Sequence, residues 1–350
     1  MQSLDRIGQA PYVKAVTSRK GQTHDRPSAS HWNTVKLIGN ILLDISTFFV
    51  LLIPILADAI GRLFRKAEKK SIVGQTALVT GGANGLGRDL CLQLASAGCH
   101  VAVVDLDESN GKQTTADIRR LGVKAHFFKA DVSSYEAVVA LRTAVSQKLG
   151  PVDILINNAG VLPLMSLREG TPNDLRKVIE INLLSHLWML RTFLNDMIER
   201  KRGHIVAIAS ITSYLPAERI IAYVASKYGV RGLMGSFASE LHAEGLDDVI
   251  KTTTVYPCFI KTRHELMEAL SQMRIKHRVP IMESHTVARA IVGAILYNKS
   301  IVFLPKVIGP FAWIYENLPS PVAHLAKRCF LRTSIPNVMV DTKRDEPAFR

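Results

Sequence analysis

Short apolar segments recur through the middle of this 350-residue chain, and amphipathic, helix-like stretches separate them. Continuous apolar strands that alternate with helices predict a parallel sheet covered on both faces. We therefore expect an α/β fold, a single doubly wound parallel sheet with its ligand at the carboxyl ends of the strands. The segments are TALVT, HVAVVD, KAHFFKADV, DILINNAG, GHIVAIAS and IKTTTVYP.

A glycine-rich turn, TGGANGLG, follows the first segment and leads into a helical stretch from Arg88. Glycine lets the backbone turn sharply and approach a ligand with no Cβ in the way. The helix that follows offers N–H groups and the positive end of its dipole to a phosphate. The turn predicts a phosphate-binding site. Its residues are Gly81, Asn84, Gly85, Leu86 and Gly87.

The second segment ends at Asp105, 24 residues after Gly81. A carboxylate at this place can accept hydrogen bonds from the ribose hydroxyls of an adenine dinucleotide and repel a 2′-phosphate. Neither Asn84 nor Leu106 supplies a basic side chain that would favour that phosphate. The sequence therefore predicts NAD over NADP. The alternative role for Asp105 is to cap the next helix, with Asp107 as a rival for that cap.

A serine, a tyrosine and a lysine form a second group. Tyr223 and Lys227 are four residues apart in a helical stretch and so share a face. Hydride transfer from an alcohol to a nicotinamide needs a base for the hydroxyl proton, and the Lys227 ammonium is expected to lower the pKa of the Tyr223 phenol. Ser210 ends a strand and can hold the substrate oxygen. Alone, the Tyr–Lys pair could equally mark a solvated helix face.

Together these motifs resemble the short-chain dehydrogenase/reductase family of the TGxxxGxG type, over about residues 72–305. The resemblance implies a Rossmann fold and a catalytic tetrad of Asn182, Ser210, Tyr223 and Lys227. It implies that Tyr223 is the acid/base and that Ser210 orients the substrate. It also implies that Lys227 binds the nicotinamide ribose. It assigns Asn182 a water in the proton relay.

The same resemblance implies further cofactor contacts, in the NNAG motif and after two of the strands. These residues are Asp131, Val132, Asn158, Ala159, Gly160, Pro257, Ile260 and Thr262. Cys258 stands where the family usually has glycine, so the loop after Pro257 is expected to differ from the family's.

Composition narrows the possible partners. With 47% hydrophobic and 21% charged residues the chain is typical of a globular protein, and its four scattered cysteines form no CxxC pair or Cys/His cluster. No zinc site or disulfide framework is expected, and a reducing environment fits. The net charge is +6 over residues 1–70, +1 over 71–260 and +7 over 261–350. Basic ends around a near-neutral middle disfavour a nucleic-acid partner and favour an anionic membrane surface.

The ends of the chain are predicted as separate segments. Residues 1–34 are expected to be a polar mobile tail, 35–64 a hydrophobic membrane anchor, 65–71 a basic juncture and 72–305 the dinucleotide-binding catalytic domain. The anchor could be a short or tilted span, a hairpin bent at Pro54 or a helix lying in the interface. A helix packed on the protein's own core is the alternative.

Two apolar regions follow the tetrad. Residues 258–283 are expected to form a helical cover over the site, either a lid that rests on a membrane or a plain surface helix. Residues 306–330 are apolar and predict a second membrane contact or a tail packed on the subunit or a partner. Residues 331–350 are expected to be disordered.

The apolar anchor, the basic juncture and VYPxxxxT resemble the membrane-associated retinol and 17-beta-hydroxysteroid dehydrogenases of this superfamily. That resemblance implies NAD-dependent interconversion of a lipophilic alcohol and its carbonyl at the endoplasmic reticulum membrane or a lipid droplet. The catalytic domain is expected to face the cytosol, and a homodimer is a further expectation. The alternatives are an NADP-linked reductase of the same substrates and a non-catalytic membrane scaffold that keeps the cofactor fold.

Overall fold

The computed structural model describes residues 29–64, 68–261 and 281–330, and the chain divides into two compact units, residues 1–67 and 68–350. In the first unit, α1 (Ala29–Phe64) is one 36-residue helix that continues through Pro54. The structure therefore has no hairpin bent at that proline, and the helix begins six residues before the predicted anchor.

Part of α1 has the length and composition of a membrane span. The stretch Lys36–Pro54 has 19 residues and a mean hydropathy of 2.0, and none of it is buried. At 1.5 Å per residue it would extend about 28 Å, close to the thickness of a bilayer's hydrocarbon core. Its apolar side chains are exposed, as Ile53 at 69% illustrates.

The second unit is built on a seven-stranded sheet in which neighbouring strands are parallel. The strand order is β3-β2-β1-β4-β5-β6-β9, so the direction of winding reverses beside β1. This confirms the doubly wound parallel sheet. The strands are β1 (Thr76–Thr80), β2 (His100–Asp105), β3 (Ala125–Lys129), β4 (Ile154–Asn157), β5 (Gly203–Ile208), β6 (Ile250–Pro257) and β9 (Ile301–Leu304).

Alternate strand residues point to opposite sides of the sheet, so both faces carry apolar side chains. Helices cover both faces. In β1, Leu78 joins one hydrophobic cluster, and Ala77 and Val79 join the other. The Leu78 face is covered by α4 (Tyr135–Leu149), α6 (Ser185–Glu199) and α7 (Ile221–Ala243). The opposite face is covered by α2 (Gly85–Ser96), α3 (Glu108–Arg119) and α8 (Ser284–Leu296).

Shorter elements connect this framework. They are α5 (Pro172–Ile179), a π-helical turn (Glu180–Leu184), a 3-10 turn (Ile211–Ser213) and a small parallel pair, β7 (Ile260–Lys261) with β8 (Met282–Glu283). Most of the predicted helical cover, residues 262–280, lies outside the described residues, and so do residues 1–28, 65–67 and 331–350.

The predicted apolar segment at 306–330 contains two helices, α9 (Ile308–Glu316) and α10 (Ser320–Phe330). One side of α9 packs on the domain through Ile308, Ala312 and Tyr315, which belong to the core. Its other side leaves Trp313 66% exposed. Helix α9 therefore packs on its own subunit along one face and leaves the other face exposed.

Candidate active site

The glycine turn between β1 and α2 has a backbone that larger residues would not accept. Gly81 has φ +64° and Gly85 has φ +50°, both in the left-handed region. A Cβ on Gly87 would collide with the carbonyl oxygen of Gly81 and lie 2.7 Å from Asn158 Nδ2. Asn84, the residue before α2, makes no side-chain hydrogen bond to the first turn of that helix. The turn thus forms a tight cradle that ends at a helix N-terminus.

Thr80 and Asn158 fasten this cradle to β4. Thr80 Oγ1 accepts hydrogen bonds from the N–H groups of Asn158 and Ala159, each at 3.0 Å. Asn158 Nδ2 donates to the carbonyl oxygens of Thr80 at 2.9 Å and Gly81 at 3.2 Å. The Asn158 amide is therefore committed to holding the turn in place. The Thr80 hydroxyl was not among the predicted site residues, although its position at a strand end beside the NNAG motif is a usable signal.

Asp105 supports the turn from the end of β2. Its Oδ2 accepts from the Ala83 N–H at 2.9 Å and its Oδ1 accepts from the Asp107 N–H at 3.1 Å. Asp107 is the cap of α3, because its side chain accepts from the Asn110 N–H. The alternative role proposed for Asp105 therefore belongs to Asp107. A carboxylate has about four acceptor positions, so half-buried Asp105 retains capacity for a ligand's hydroxyl groups.

The cations on α2 and β3 are paired. Arg88 Nη2 lies 2.8 Å from Asp117 Oδ2, and Lys129 Nζ lies 3.5 Å from Glu108 Oε2. The Asn84 amide donates to Asp107 Oδ2 at 2.9 Å. The charge that Asp105 presents to a ligand is therefore not offset by these groups.

Asn182 lies in the π-helical turn between α5 and α6, a wider helical geometry that often occurs at functional sites. Its Oδ1 accepts from the Val161 N–H at 2.8 Å, and its Nδ2 donates to the Val161 carbonyl at 2.9 Å and to Ser226 Oγ at 3.2 Å. Asn182 is fully buried. It joins the loop after the NNAG motif to α7, next to Lys227.

Ser210 and Tyr223 are brought together at the carboxyl edge of the sheet. The Ser210 side chain lies near enough to the Tyr223 hydroxyl to influence its pKa, and Ser210 Oγ accepts from the Thr212 N–H at 3.1 Å. Burial raises the pKa of the Tyr223 phenol above its usual 10, and Ser210 opposes this only in part. The expectation that this pKa is lowered was wrong, because loss of hydration outweighs the favourable contacts.

Lys227 lies one turn along α7 from the tyrosine. Its Nζ is 5.6 Å from the centre of the Tyr223 ring and donates to the Ile208 carbonyl at 2.8 Å. Burial lowers the pKa of Lys227 to about 8. At neutral pH the lysine is still mostly charged, but its ammonium is held by the strand rather than by the phenol.

The remaining predicted contacts differ in what they offer. A Cβ on Gly160 would lie 3.2 Å from Asn182 Oδ1 and 3.7 Å from Lys227 Nζ, so Gly160 borders the tetrad. The Leu86 side chain is buried in the core, which leaves its backbone to meet a ligand.

The loops after β3 and β6 are more varied. Asp131 Oδ1 accepts from the N–H and the hydroxyl of Ser133, and Val132 is buried in the core. Pro257 ends β6 and Ile260 begins β7, whereas Thr262 lies outside the described residues. Cys258 is not in the left-handed region, so its position does not require the family's glycine.

A buried histidine near the site was missed. His186, four residues after Asn182 on α6, is 1% exposed, and neither ring nitrogen has a partner within the part of the chain that the structure describes. Burial, with a smaller effect of the Lys227 charge, lowers the pKa of His186 to about 3. Its four-residue spacing from Asn182 is the signal that could have pointed to it.

The residues at the switch point fit a dinucleotide. A Cβ on Gly81 would crowd Ala159, and one on Gly87 would collide with the Gly81 carbonyl, so the backbone stays bare beside the N-terminus of α2, as a pyrophosphate site requires. Asp105 ends β2, the position at which dinucleotide-binding folds of this kind place an acid for the ribose hydroxyls.

Comparison with known proteins agrees with this geometry. The model of the short chain dehydrogenase family matches residues 75–272. Human 17-beta-hydroxysteroid dehydrogenase 13 is 29% identical over 83% of this chain and 94% of its own length. Mouse estradiol 17-beta-dehydrogenase 11 is 30% identical over 82% of this chain and 94% of its own length.

Solved structures show the same fold. A short-chain dehydrogenase/reductase from Burkholderia phymatum in complex with NAD has a TM-score of 0.64 and 23% identity, and the match covers 76% of this chain and 98% of that one. A metagenomic short-chain oxidoreductase in complex with NADP has a TM-score of 0.55 and 29% identity, covering 67% and 96%. The chain therefore belongs to the short chain dehydrogenase family and is an oxidoreductase that acts on CH–OH groups.

Proposed function

We propose that the protein is an NAD-dependent dehydrogenase that interconverts a lipophilic alcohol and its carbonyl, with Tyr223 as the acid/base. One observation carries the proposal: the Ser210 side chain interacts with the Tyr223 phenol at the carboxyl edge of the sheet, with Lys227 one turn away. Two hydroxyl groups that converge beside a dinucleotide cradle are suited to hold one substrate oxygen.

The bound nicotinamide would supply the acceptor or donor of the hydride. In oxidation the Tyr223 oxygen takes the proton of the substrate hydroxyl, and in reduction it returns that proton to the carbonyl oxygen. Ser210 holds the same substrate oxygen by a second hydrogen bond. The Lys227 ammonium stabilises the phenolate by its charge, and Asn182 holds the α7 turn that carries Lys227 through its bond to Ser226.

Asp105 supports the choice of NAD. Its carboxylate would accept from the ribose hydroxyls, and a 2′-phosphate there would meet a negative charge. Arg88 and Lys129 share their carboxylate partners with Arg120 and Lys112, so the preference for NAD rests on Asp105 and on the apolar Leu106. An NADP-linked reductase of the same substrates is the alternative that Asp105 disfavours.

Two observations support the substrate class and the location. The relatives with the names 17-beta-hydroxysteroid dehydrogenase 13 and estradiol 17-beta-dehydrogenase 11 favour a hydroxysteroid, and the resemblance in sequence extends the proposal to a retinoid or a related lipid alcohol. The exposed apolar stretch Lys36–Pro54 favours attachment to the endoplasmic reticulum membrane or a lipid droplet, with the catalytic domain on the cytosolic side. A homodimer would be compatible with this arrangement.

The test is cofactor reduction by the full-length protein in membranes. NAD and NADP are each offered with all-trans-retinol, estradiol, a 3-alpha-hydroxysteroid and a long-chain fatty alcohol. We expect NADH from at least one of them, much less NADPH, and loss of both signals in Tyr223→Phe. NAD binding without turnover of any alcohol would instead favour the scaffold alternative.

A further inference from the structure

A basic cavity lies at the amino ends of the strands, on the edge of the sheet opposite the tetrad. Its volume is about 290 Å³, near the lower end for ligand pockets. Residues that precede or begin β4, β5, β6 and β9 line it, and the proposed reaction uses none of them. The charged residues of its wall are Lys70, Asp153, Lys201, Arg202, Asp248 and Lys251.

The two carboxylates do not neutralise these cations. Asp153 is 4% exposed, and its Oδ1 accepts from both Arg200 Nη1 and Arg202 Nε, at 2.5 and 3.0 Å. Two guanidinium groups thus share one carboxylate. Asp248 pairs with Lys251 at 3.1 Å, but its side chain is 99% exposed, where such a pair contributes little. Positive charge therefore remains in the cavity.

Lys70 is held in the wall by a buried relay. Its Nζ lies 2.7 Å from His204 Nδ1, and His204 Nε2 lies 2.8 Å from Thr253 Oγ1. The Thr253 hydroxyl donates its only proton to the Lys299 carbonyl at 2.7 Å. It must therefore accept from His204 Nε2–H, so Nδ1 accepts from the Lys70 ammonium.

The Lys70 ammonium has N–H donors that the relay does not use. His204 is 1% exposed and takes one ammonium N–H, and within the described residues Lys70 has no carboxylate partner. Burial, together with the Lys251 charge, lowers the pKa of Lys70 to about 8. A preorganised, partly desolvated ammonium beside a second lysine favours an anion that can accept several hydrogen bonds.

We propose that this cavity binds a phosphate group, with Lys70 and Lys251 as its principal cations and Lys201 and Arg202 at its rim. A phosphate has several acceptor oxygens for the unused N–H donors of the cavity and up to two negative charges to balance its excess positive charge. The group could belong to a free phosphate compound or to the headgroup of an anionic phospholipid. Lys70 follows the last residue of the apolar helix α1 by six positions in the sequence, which favours the headgroup.

The variants are chosen so that the relay survives. Lys70→Gln removes the charge but keeps an N–H donor for His204 Nδ1, and Lys251→Gln removes the second cation without touching His204. Lys112→Gln is the matched control, because Lys112 is 66% exposed on α3 and paired with Glu108. Should Lys70→Gln fail to fold, Lys251→Gln still tests the proposal.

Two titrations of the full-length protein in neutral detergent distinguish a free phosphate compound from a phospholipid headgroup. Inorganic phosphate is added against chloride at equal ionic strength, and phosphatidylserine is added to the micelles against phosphatidylcholine. The readouts are calorimetric affinity and the shift in Tm. We expect saturable binding in at least one titration, weakened about tenfold by either cavity variant and unchanged in Lys112→Gln.

The outcomes are distinct. Saturation by inorganic phosphate assigns a soluble phosphate compound, and saturation by phosphatidylserine alone assigns a membrane headgroup. Binding to neither, or binding that Lys70→Gln and Lys251→Gln leave at the level of the wild-type protein, overturns the proposal. Dehydrogenase activity does not enter either readout, so the result is independent of the proposed reaction.

Discussion

Lys227 Nζ lies 5.6 Å from the ring centre of Tyr223, yet its hydrogen bond goes to the Ile208 carbonyl. Burial raises the pKa of the phenol, and Ser210 opposes that rise only in part. The lysine therefore lies one helical turn from the tyrosine but hydrogen-bonds the strand and not the phenol. In the proposed reaction Tyr223 would transfer the proton and Lys227 would stabilise the resulting charge.

The first prediction concerns the Tyr223 hydroxyl. Tyr223→Phe should lower kcat by at least about 10²–10⁴-fold, since a positioned acid/base contributes on that order. Dinucleotide affinity should change little, because the ring remains and only the proton-transferring oxygen is removed. Steady-state kinetics and cofactor titration measure the two effects.

Tyr228→Phe is the matched control for this change. Tyr228 is half-buried on the same helix and no proposed step uses it. Equal losses in both variants would point to damage to α7 rather than to chemistry at Tyr223.

The second prediction is a difference between the two reaction directions. Oxidation needs the Tyr223 phenolate, and a pKa raised above 10 makes that form scarce at neutral pH. The rate of alcohol oxidation should therefore rise from pH 6 to 9. Reduction needs the protonated phenol, which persists through this range, so its rate should stay nearly flat until the pH is well above neutral. Profiles of kcat/KM in both directions decide this, and a flat oxidation profile would count against Tyr223 as the base.

The third prediction concerns cofactor choice at Asp105. Asp105→Asn removes the charge and keeps one acceptor oxygen, but its amide nitrogen would face the other of the two N–H groups. Discrimination against NADP should fall by about tenfold or more, with a smaller loss of stability than in the alanine variant. Asp105→Ala also deprives the Ala83 and Asp107 N–H groups of their acceptor. That loss should lower the free energy of unfolding by about 1–3 kcal/mol.

Comparing the two Asp105 variants separates the role of Asp105 in choosing the cofactor from its role in stabilising the glycine turn. Kinetics with both dinucleotides and urea unfolding are the measurements. An Asp105→Asn protein that still excludes NADP as strongly as the wild-type protein would show that selectivity comes from elsewhere.

The fourth prediction tests the glycine cradle. In Gly87→Ala the new Cβ would meet the Gly81 carbonyl and the Asn158 amide, which are both part of the turn. Dinucleotide binding should be lost or strongly weakened. Gly232→Ala is the control, since its Cβ meets nothing within 4 Å on α7 and alanine favours a helix by about 0.5–1 kcal/mol. Fluorescence titration with NADH measures both, and normal binding by Gly87→Ala would contradict the cradle.

Much of the fold was predictable because strand and helix periods are local properties. The predicted apolar segments correspond to the first six strands of the large sheet, β1 to β6. The seventh, β9, was missed, because a four-residue apolar run before Pro305 does not differ in pattern from a buried tail. The continuity of α1 through Pro54 was likewise left open by the sequence, which shows a proline but not whether the helix tolerates it.

The site could be predicted in its residues but not in its electrostatics. Spacing and strand ends were sufficient to select Ser210, Tyr223 and Lys227, which the structure brings together. The direction of the Tyr223 pKa shift was wrong, since it depends on how much burial removes water, and a sequence does not show that. The π-helical turn at Asn182 and the bond of Lys227 to Ile208 are also tertiary features.

The last prediction is acid lability caused by two buried histidines. Burial lowers the pKa of both His186 and His204 to about 3, against about 6.5 in an unfolded chain. Below pH 6.5 the unfolded chain takes up protons that the folded protein refuses, so stability is lost as the pH falls from 6.5 toward 3. At pH 5 each histidine should contribute about 2 kcal/mol of this loss.

The contribution of His186 can be removed by substitution. His186→Leu should flatten the dependence of the free energy of unfolding on pH between 7 and 5 by about 2 kcal/mol, because leucine cannot take up a proton in the unfolded chain. Urea unfolding at several pH values gives the two slopes. A slope that His186→Leu does not change would mean that His186 is protonated equally in the folded and unfolded protein, and therefore that it is not shielded from water in solution.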